Sequence, residues 1–232
     1  IDISNPTGRL MLGSIPTFTY TIEDNDQTNE IDFSVQSTDI DEASGSVFVT
    51  VKLNSTSASD ISADYMVTGT ATAGGVDFTL ASGTVTITAG NLFNTIQLLI
   101  TDDAILENSE TAIITLSNPV NASLGTNTVH TVTILDDDLA PEVAFSTALS
   151  NGSEGNSPAN IQVALSSVSG LEATVDYEVV VANTTATNGS DFNLTGGILS
   201  IAQGDLTGTI SISILEDIIL EIDEQIQIRL FD

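Results

Sequence analysis

Thr131-Val132-Thr133-Ile134-Leu135-Asp136-Asp137-Asp138 decides how the rest of the 232-residue chain is read. A strand-like run ends in three adjacent carboxylates, which repel one another unless water screens them or a cation holds them. The signature also stands earlier, as Tyr20-Thr21-Ile22-Glu23-Asp24-Asn25-Asp26. Strand plus acidic stop is therefore one part of a repeat. Asn5-Pro6 matches Asn118-Pro119, Ile22 matches Ile134, Phe33 matches Phe145, and Glu42 matches Glu154. Asp77-Phe78 matches Asp191-Phe192, and Glu107 and Glu110 match Glu221 and Glu224. Every pair is 112–114 residues apart, an internal period of domain size. Residues 1–26 read as the C-terminal strands of a preceding repeat. Residues 27–138 are a complete repeat, and residues 139–232 are a following repeat without its last strand. The expected context is a slice of a tandem array.

Within the full repeat nearly every segment alternates with period two, the mark of strands with one buried face. Ile31–Gln36 is a first strand, and Val47, Val49, Val51 and Leu53 line one face of a second. Ile61–Thr68 is a third, Val85 and Ile87 mark a fourth, and Ile96, Leu98 and Ile100 a fifth. Ala112, Ile114 and Leu116 define a sixth; His130, Val132 and Ile134 define a seventh. Gly, Asn, Asp and Ser fill the gaps, as turns require. No stretch has a helical period. The expected fold is all-β, with tandem immunoglobulin-like antiparallel β-sandwiches of seven strands per repeat.

Composition narrows the function. Thirty-two acids against 3 Lys and Arg give a formal charge of −29. Nucleic acid, whose phosphates need Lys and Arg, is excluded as a partner, and nothing draws the chain to anionic lipid. No apolar run approaches the roughly 18 residues of a membrane helix, so membrane insertion of this segment is not expected. No signal peptide is legible. The chain has no Cys, hence no thiolate metal site or disulfide. With no Trp, one His and few aromatic residues, neither a sugar-stacking cleft nor a nucleophile–base pair is available, and enzymatic activity is not expected.

The acids gather in the connections. Glu42 lies between strands one and two, and Asp77 between three and four. Asp102, Asp103, Glu107 and Glu110 lie between five and six; Asp136, Asp137 and Asp138 follow seven. In an antiparallel sandwich these connections share one end, so sequence order places the carboxylates at one pole. Their convergence costs free energy unless cations neutralise them. All-oxygen ligands suit Ca²⁺, which takes six to eight; Mg²⁺ prefers to keep its waters. The expectation is about two to four ions sharing bridging carboxylates. A solvated or halophilic acidic coat is the bland alternative, but the strand faces carry Thr, Ser, Gln and Asn instead.

These residues resemble the Calx-β domain family. The resemblance rests on the Glu42 loop, Gly69-Thr70-Ala71-Thr72 before Asp77-Phe78, and Asp102-Asp103 followed by Glu107 and Glu110. It rests also on Leu116-Ser117-Asn118-Pro119 and on Thr133–Asp138. The resemblance implies a seven-stranded sandwich binding Ca²⁺ at its distal loops. It carries the ligand role to the nine acids of the full repeat and, in the following repeat, to Glu154, Asp191, Glu216, Asp217, Glu221 and Glu224. Family members act as regulatory Ca²⁺ sensors in sodium–calcium exchangers and as tandem modules in large surface proteins.

The expected function is a Ca²⁺-binding structural and adhesive repeat of a long extracellular or cell-surface filament, its ions stiffening the inter-repeat junctions. Neighbouring repeats are its partners, with an external adhesion target and, head to tail, other copies in which residues 17–26 complete an open sandwich. The alternative is a regulatory Ca²⁺ sensor coupled to a transporter or enzyme, with a cadherin-like module third. His130 reads as structural, and Lys52, with outward parity, reads as a surface residue.

Overall fold

The structure, a computed structural model, describes residues 8–11, 13–15, 17–23, 25 and 28–232. Asp24 and Asp26, read from sequence as closing acids of a preceding repeat, lie outside the described residues. No helix among those described is long and apolar enough to cross a membrane.

The full repeat is a two-layer sandwich. One sheet runs β5 (Phe78–Thr79), β7 (Phe93–Ile100), β3 (Ser46–Leu53), β1 (Glu30–Phe33), β9 (Ser123–Leu124). The other runs β2 (Ser37–Asp41), β10 (Val129–Leu135), β8 (Glu110–Val120), β4 (Ile61–Gly69), β6 (Gly83–Ile87). Alternation read from sequence is alternation in space: Val49, Val51, Ile96, Leu98, Ala112, Ile114, Val132 and Ile134 all face one core. Burying each of the larger side chains contributes about 1.5–3 kcal/mol.

The first strand is two. β1 pairs antiparallel with β3, while β2 pairs parallel with β10 in the opposite sheet. The chain crosses between sheets at Ser34–Gln36, and His130 fills the crossing. Its ring stands 5.6 Å from that of Phe33, and its Nδ1 lies 2.9 Å from Val35 O. His130 is buried.

Three glycines are dictated by space. Gly69 has φ +137, and a Cβ there would lie 2.0 Å from Thr111 O. Gly83 lies under the Tyr65 ring, and Gly197 under Tyr177 in the following repeat. Asp64 joins the Asn-Pro turn to the sheet, accepting from Thr84 Oγ1 at 2.7 Å and Asn118 Nδ2 at 3.1 Å. These bonds hold its carboxyl below the usual range.

The following repeat has sheets β11 (Val143–Phe145), β12 (Ala159–Leu165), β16 (Thr207–Ile214), β14 (Phe192–Asn193) and β15 (Gly197–Ile201), β13 (Ala173–Val179), β17 (Ile228–Phe231). Its own core holds Val163, Phe192, Ile201, Ile210 and Ile212. β17 takes the place of β8, and no strand among the described residues lies on its other side as β10 does beside β8. A cavity of about 190 Å³ opens between Val143, Leu165, Val175 and Ile201. In the full repeat the corresponding end is closed by β9 and Ala122, which packs on the core. Phe18, Tyr20 and Ile22, whose counterparts His130, Val132 and Ile134 are buried, are exposed.

Gly69→Ala is expected to destabilise the full repeat by about 1–3 kcal/mol, because both the backbone angle and the Thr111 contact resist a side chain. Urea unfolding of the two proteins measures it. Equal midpoints would mean that β4 and β8 part without cost at this point.

Candidate metal centre

Local devices hold five of the acids, Glu42, Asp77, Asp103, Glu107 and Asp136. Glu42 opens a 3-10 turn, Glu42–Ser44, ended by Gly45 at φ +76. Gly45 O then accepts Ile100 N at 3.1 Å, which fixes the turn to the end of β7, just before Asp102 and Asp103. Asp77 follows Gly74 and Gly75, both with φ +92. Its carbonyl accepts Thr101 N at 2.9 Å, and its carboxylate accepts Thr72 N. Asp103 Oδ1 accepts Ile105 N at 2.8 Å, turning the β7–β8 loop back on itself. Asp136 Oδ1 reaches across to Glu107 N at 2.9 Å, so the acid after β10 positions the acid before β8.

The outcome is convergence of all nine acids of the full repeat. Ligand atoms of Glu42, Asp103 and Asp138 lie within 4.8 Å of one another, as do those of Glu42, Asp102 and Asp137. A small cleft beside them is lined by Glu42, Asp77, Glu107, Asn108, Glu110 and Asp136. Glu42 thus belongs to both groups and to the cleft. Asn108 was not picked out from the sequence, where a neutral amide among acids carries no charge signal. Its position between Glu107 and Glu110 was the available clue, since an amide oxygen is also a hard donor.

The electrostatics record the crowding. Burial, and then the charges of Asp138, Asp136 and Asp103, push Glu42 up to about 7. Glu110 is also pushed up to about 7, by burial and then by a hydrogen bond and charge from Asp77. Burial and the surrounding carboxylates raise Glu107 and Asp138 as well. Glu42 Oε1 and Asp138 Oδ2 are buried with no hydrogen-bond partner. No basic side chain meets this need. Among the described residues the ion pairs are Lys52–Asp32 and Arg229–Glu178, both within sheets. An all-oxygen donor set with orphaned buried oxygens and no internal cation fits a hard divalent ion.

The following repeat repeats the scaffold in part. Asp191 Oδ2 accepts Thr187 N at 2.5 Å, and Asp191 O accepts Leu215 N at 2.9 Å. Asp217 Oδ1 accepts Ile219 N at 2.6 Å. Asp191, Glu221 and Glu224 form a compact group. Partial desolvation and then Asp191 raise Glu221 and Glu224, to which Glu154 adds its charge. Glu216 lies against Gly155. No acid within the 232 residues takes the place of Asp136–Asp138, and Glu221 and its neighbours are exposed.

The two repeats touch at this pole. Gly170 N, in the β12–β13 loop of the following repeat, donates to Leu106 O at 3.0 Å. Leu106 immediately precedes Glu107, so the junction abuts the acidic loop.

Comparison with known proteins agrees with the repeat. The profile of the Calx-beta domain matches residues 24–138 and again 136–232. Sodium/calcium exchanger 1 of Canis lupus familiaris is 29% identical over 167 residues, covering 64% of this chain, and the protein of Rattus norvegicus is 28% identical over the same length. The matched part is 17% of the exchanger's length. Among solved structures, the calcium binding domain CBD12 of CALX1.1 aligns over 86% of this chain and 80% of its own, with 26% identity and a TM-score of 0.45.

The raised carboxylates fix a pH dependence. Glu42 and Glu110 hold protons up to about pH 7 in the folded chain, against about 4.5 when unfolded. Between those values the folded state binds more protons, so stability falls as pH rises. In chelator, the Tm of the full repeat is expected to drop from pH 5 to pH 8, and Glu42→Gln to raise Tm at pH 8 and flatten the slope. A Tm that climbs with pH in that window would contradict the crowded pole.

Proposed function

The chain belongs to the Calx-beta domain family, and from that premise we propose that it is a Ca²⁺-binding regulatory module whose ion occupancy sets the geometry between two repeats. The observation that carries the reading is the nine-acid pole, with its unpartnered Glu42 Oε1 and Asp138 Oδ2, placed against the Leu106–Gly170 contact. Glu42, Asp102, Asp103, Asp137 and Asp138 would hold ions on one side of the pole. Asp77, Glu107, Glu110 and Asp136 would hold them on the other, with Asn108 as a neutral donor. In the following repeat Asp191, Glu221 and Glu224 would form the site, with Glu154, Glu216 and Asp217 around it. Ca²⁺ supplies the positive charge the pole lacks. The chain's own groups supply the change: with repulsion removed, the β7–β8 loop settles, and with it the carbonyl of Leu106 on which the next repeat rests.

The likeness to sodium/calcium exchanger 1 moves the sensor reading ahead of the adhesive one expected from sequence. The proposal is non-catalytic: His130 is spent on the strand crossing. The adhesive reading, extracellular and with the ions as junction stiffeners, stays second because the 112–114-residue period gives a unit that stacks. Within it, Phe18, Tyr20 and Ile22 carry the pattern that would complete the open sheet beside β17 of another copy.

Calorimetric and thermal titration with Ca²⁺ tests the reading. At a hundred times Kd the full repeat is expected to gain about 2.7 kcal/mol. Mg²⁺ should give less, and Asp103→Asn/Asp136→Asn should lose most of the gain. Affinity near roughly 10⁻⁷–10⁻⁵ M supports the sensor, and roughly 10⁻⁴–10⁻³ M the adhesive module. Unchanged melting in saturating Ca²⁺ would overturn both.

A further inference from the structure

The peptide that joins Leu106 to Glu107 is bonded from both repeats. Its N–H, on Glu107, donates to Asp136 Oδ1 at 2.9 Å, within the full repeat. Its carbonyl, on Leu106, accepts from Gly170 N at 3.0 Å, across the junction. The backbone of Glu107 cannot shift without breaking one bond or the other. Leu106 and Glu107 are both half-buried there.

Gly170 also lies flush against the Glu107 side chain. A Cβ on Gly170 would stand 2.6 Å from Glu107 Cγ, 2.7 Å from its Oε1 and 3.0 Å from Leu106 O. Non-bonded carbon atoms rest about 3.5–4.0 Å apart, so no side chain fits there unless Glu107 moves or the repeats part. The loop's own conformation does not demand glycine. Gly170 does not take a positive φ. The counterpart loop of the full repeat, Ser57-Ala58-Ser59, carries alanine at this place and has the same internal bonds. Gly90 N donates to Ser57 O and Ser59 N to Ser57 Oγ, just as Gly204 N donates to Ser169 O and Leu171 N to Ser169 Oγ. What the missing side chain permits is the approach to Glu107. Ser169 is buried, and the two bonds it accepts hold the loop in place beneath the contact.

We propose that Gly170 is a positioning residue for Glu107, so that the following repeat forms one wall of the acidic site of the full repeat and sets its affinity for a divalent cation. This role rests on the Ca²⁺ reading of the pole given above and supplies its converse. There, ion occupancy sets the geometry of the junction; here, the junction sets the occupancy, and linkage makes the two effects equal in free energy. The route is one side chain long. Gly170 backs the carboxylate of Glu107, and Glu107 lines the cleft with Asp77, Glu110 and Asp136.

Gly170→Ala in the full chain tests the role, and the alanine at position 58 indicates that the loop will fold with it. Glu221→Gln/Glu224→Gln is kept throughout, to confine the signal to the full repeat. By calorimetry, Gly170→Ala should lower Ca²⁺ affinity about tenfold, the low end for groups that hold a metal ligand in place. Glu107→Ala should also weaken binding, and adding Gly170→Ala to it should cost nothing more, since no carboxylate is left to position. An equal loss from Gly170→Ala in both backgrounds would show a structural effect alone and would overturn the proposal. A readout without metal is hydrogen exchange in chelator. The Gly170 amide of the unaltered chain should be protected by its bond to Leu106 O, and exchange at the rate of an open loop would overturn the proposal as well. If Ca²⁺ binds equally well with and without Gly170→Ala, the positioning role falls and the Ca²⁺ reading stands. If neither protein takes up Ca²⁺, both fall.

Discussion

Repulsion among carboxylates that the protein does not neutralise is the constraint on which this structure turns. Three Lys and Arg stand against 32 acids, and the two ion pairs described, Lys52–Asp32 and Arg229–Glu178, lie on strands within the sheets. The pole is left with burial and like charge acting in the same direction on Glu42, Glu107, Glu110 and Asp138. Protons relieve that strain in acid; a divalent cation would relieve it at neutral pH.

The fold makes the pole rigid enough to matter. Backbone bonds at Gly45–Ile100 and Asp77–Thr101 fix two loops to the end of β7, and Asp136 fixes a third through Glu107 N. Loops so tied cannot splay to escape repulsion. The β7–β8 loop also meets the next repeat, through the bond from Gly170 N to Leu106 O. In the following repeat the Asp191 and Asp217 anchors recur, and the loop around Glu221 stands exposed.

Much of this was legible in sequence, for definable reasons. Period-two alternation marked β3, β4, β7, β8 and β10 because each buries one face, and strand parity alone put the acids at one end. The split of the first strand was not legible: Ile31 and Phe33 face the core from one sheet and Ile40 from the other, and alternation cannot show a change of sheet. Asn108 was hidden by its neutrality. The Leu106–Gly170 junction was hidden because a backbone bond leaves no side-chain signature, and Gly170 has Ala58, not glycine, as its counterpart.

The most direct test is to count ions in place. Crystals of the full chain grown in Ca²⁺ would be measured for anomalous scattering. About two to four peaks are expected among Glu42, Asp77, Asp102, Asp103, Glu110 and Asp136–Asp138, with the oxygens of Glu42 and Asp138 engaged. Water alone between those carboxylates, in crystals saturated with Ca²⁺, would show that the pole is a solvated acidic surface and would contradict the account.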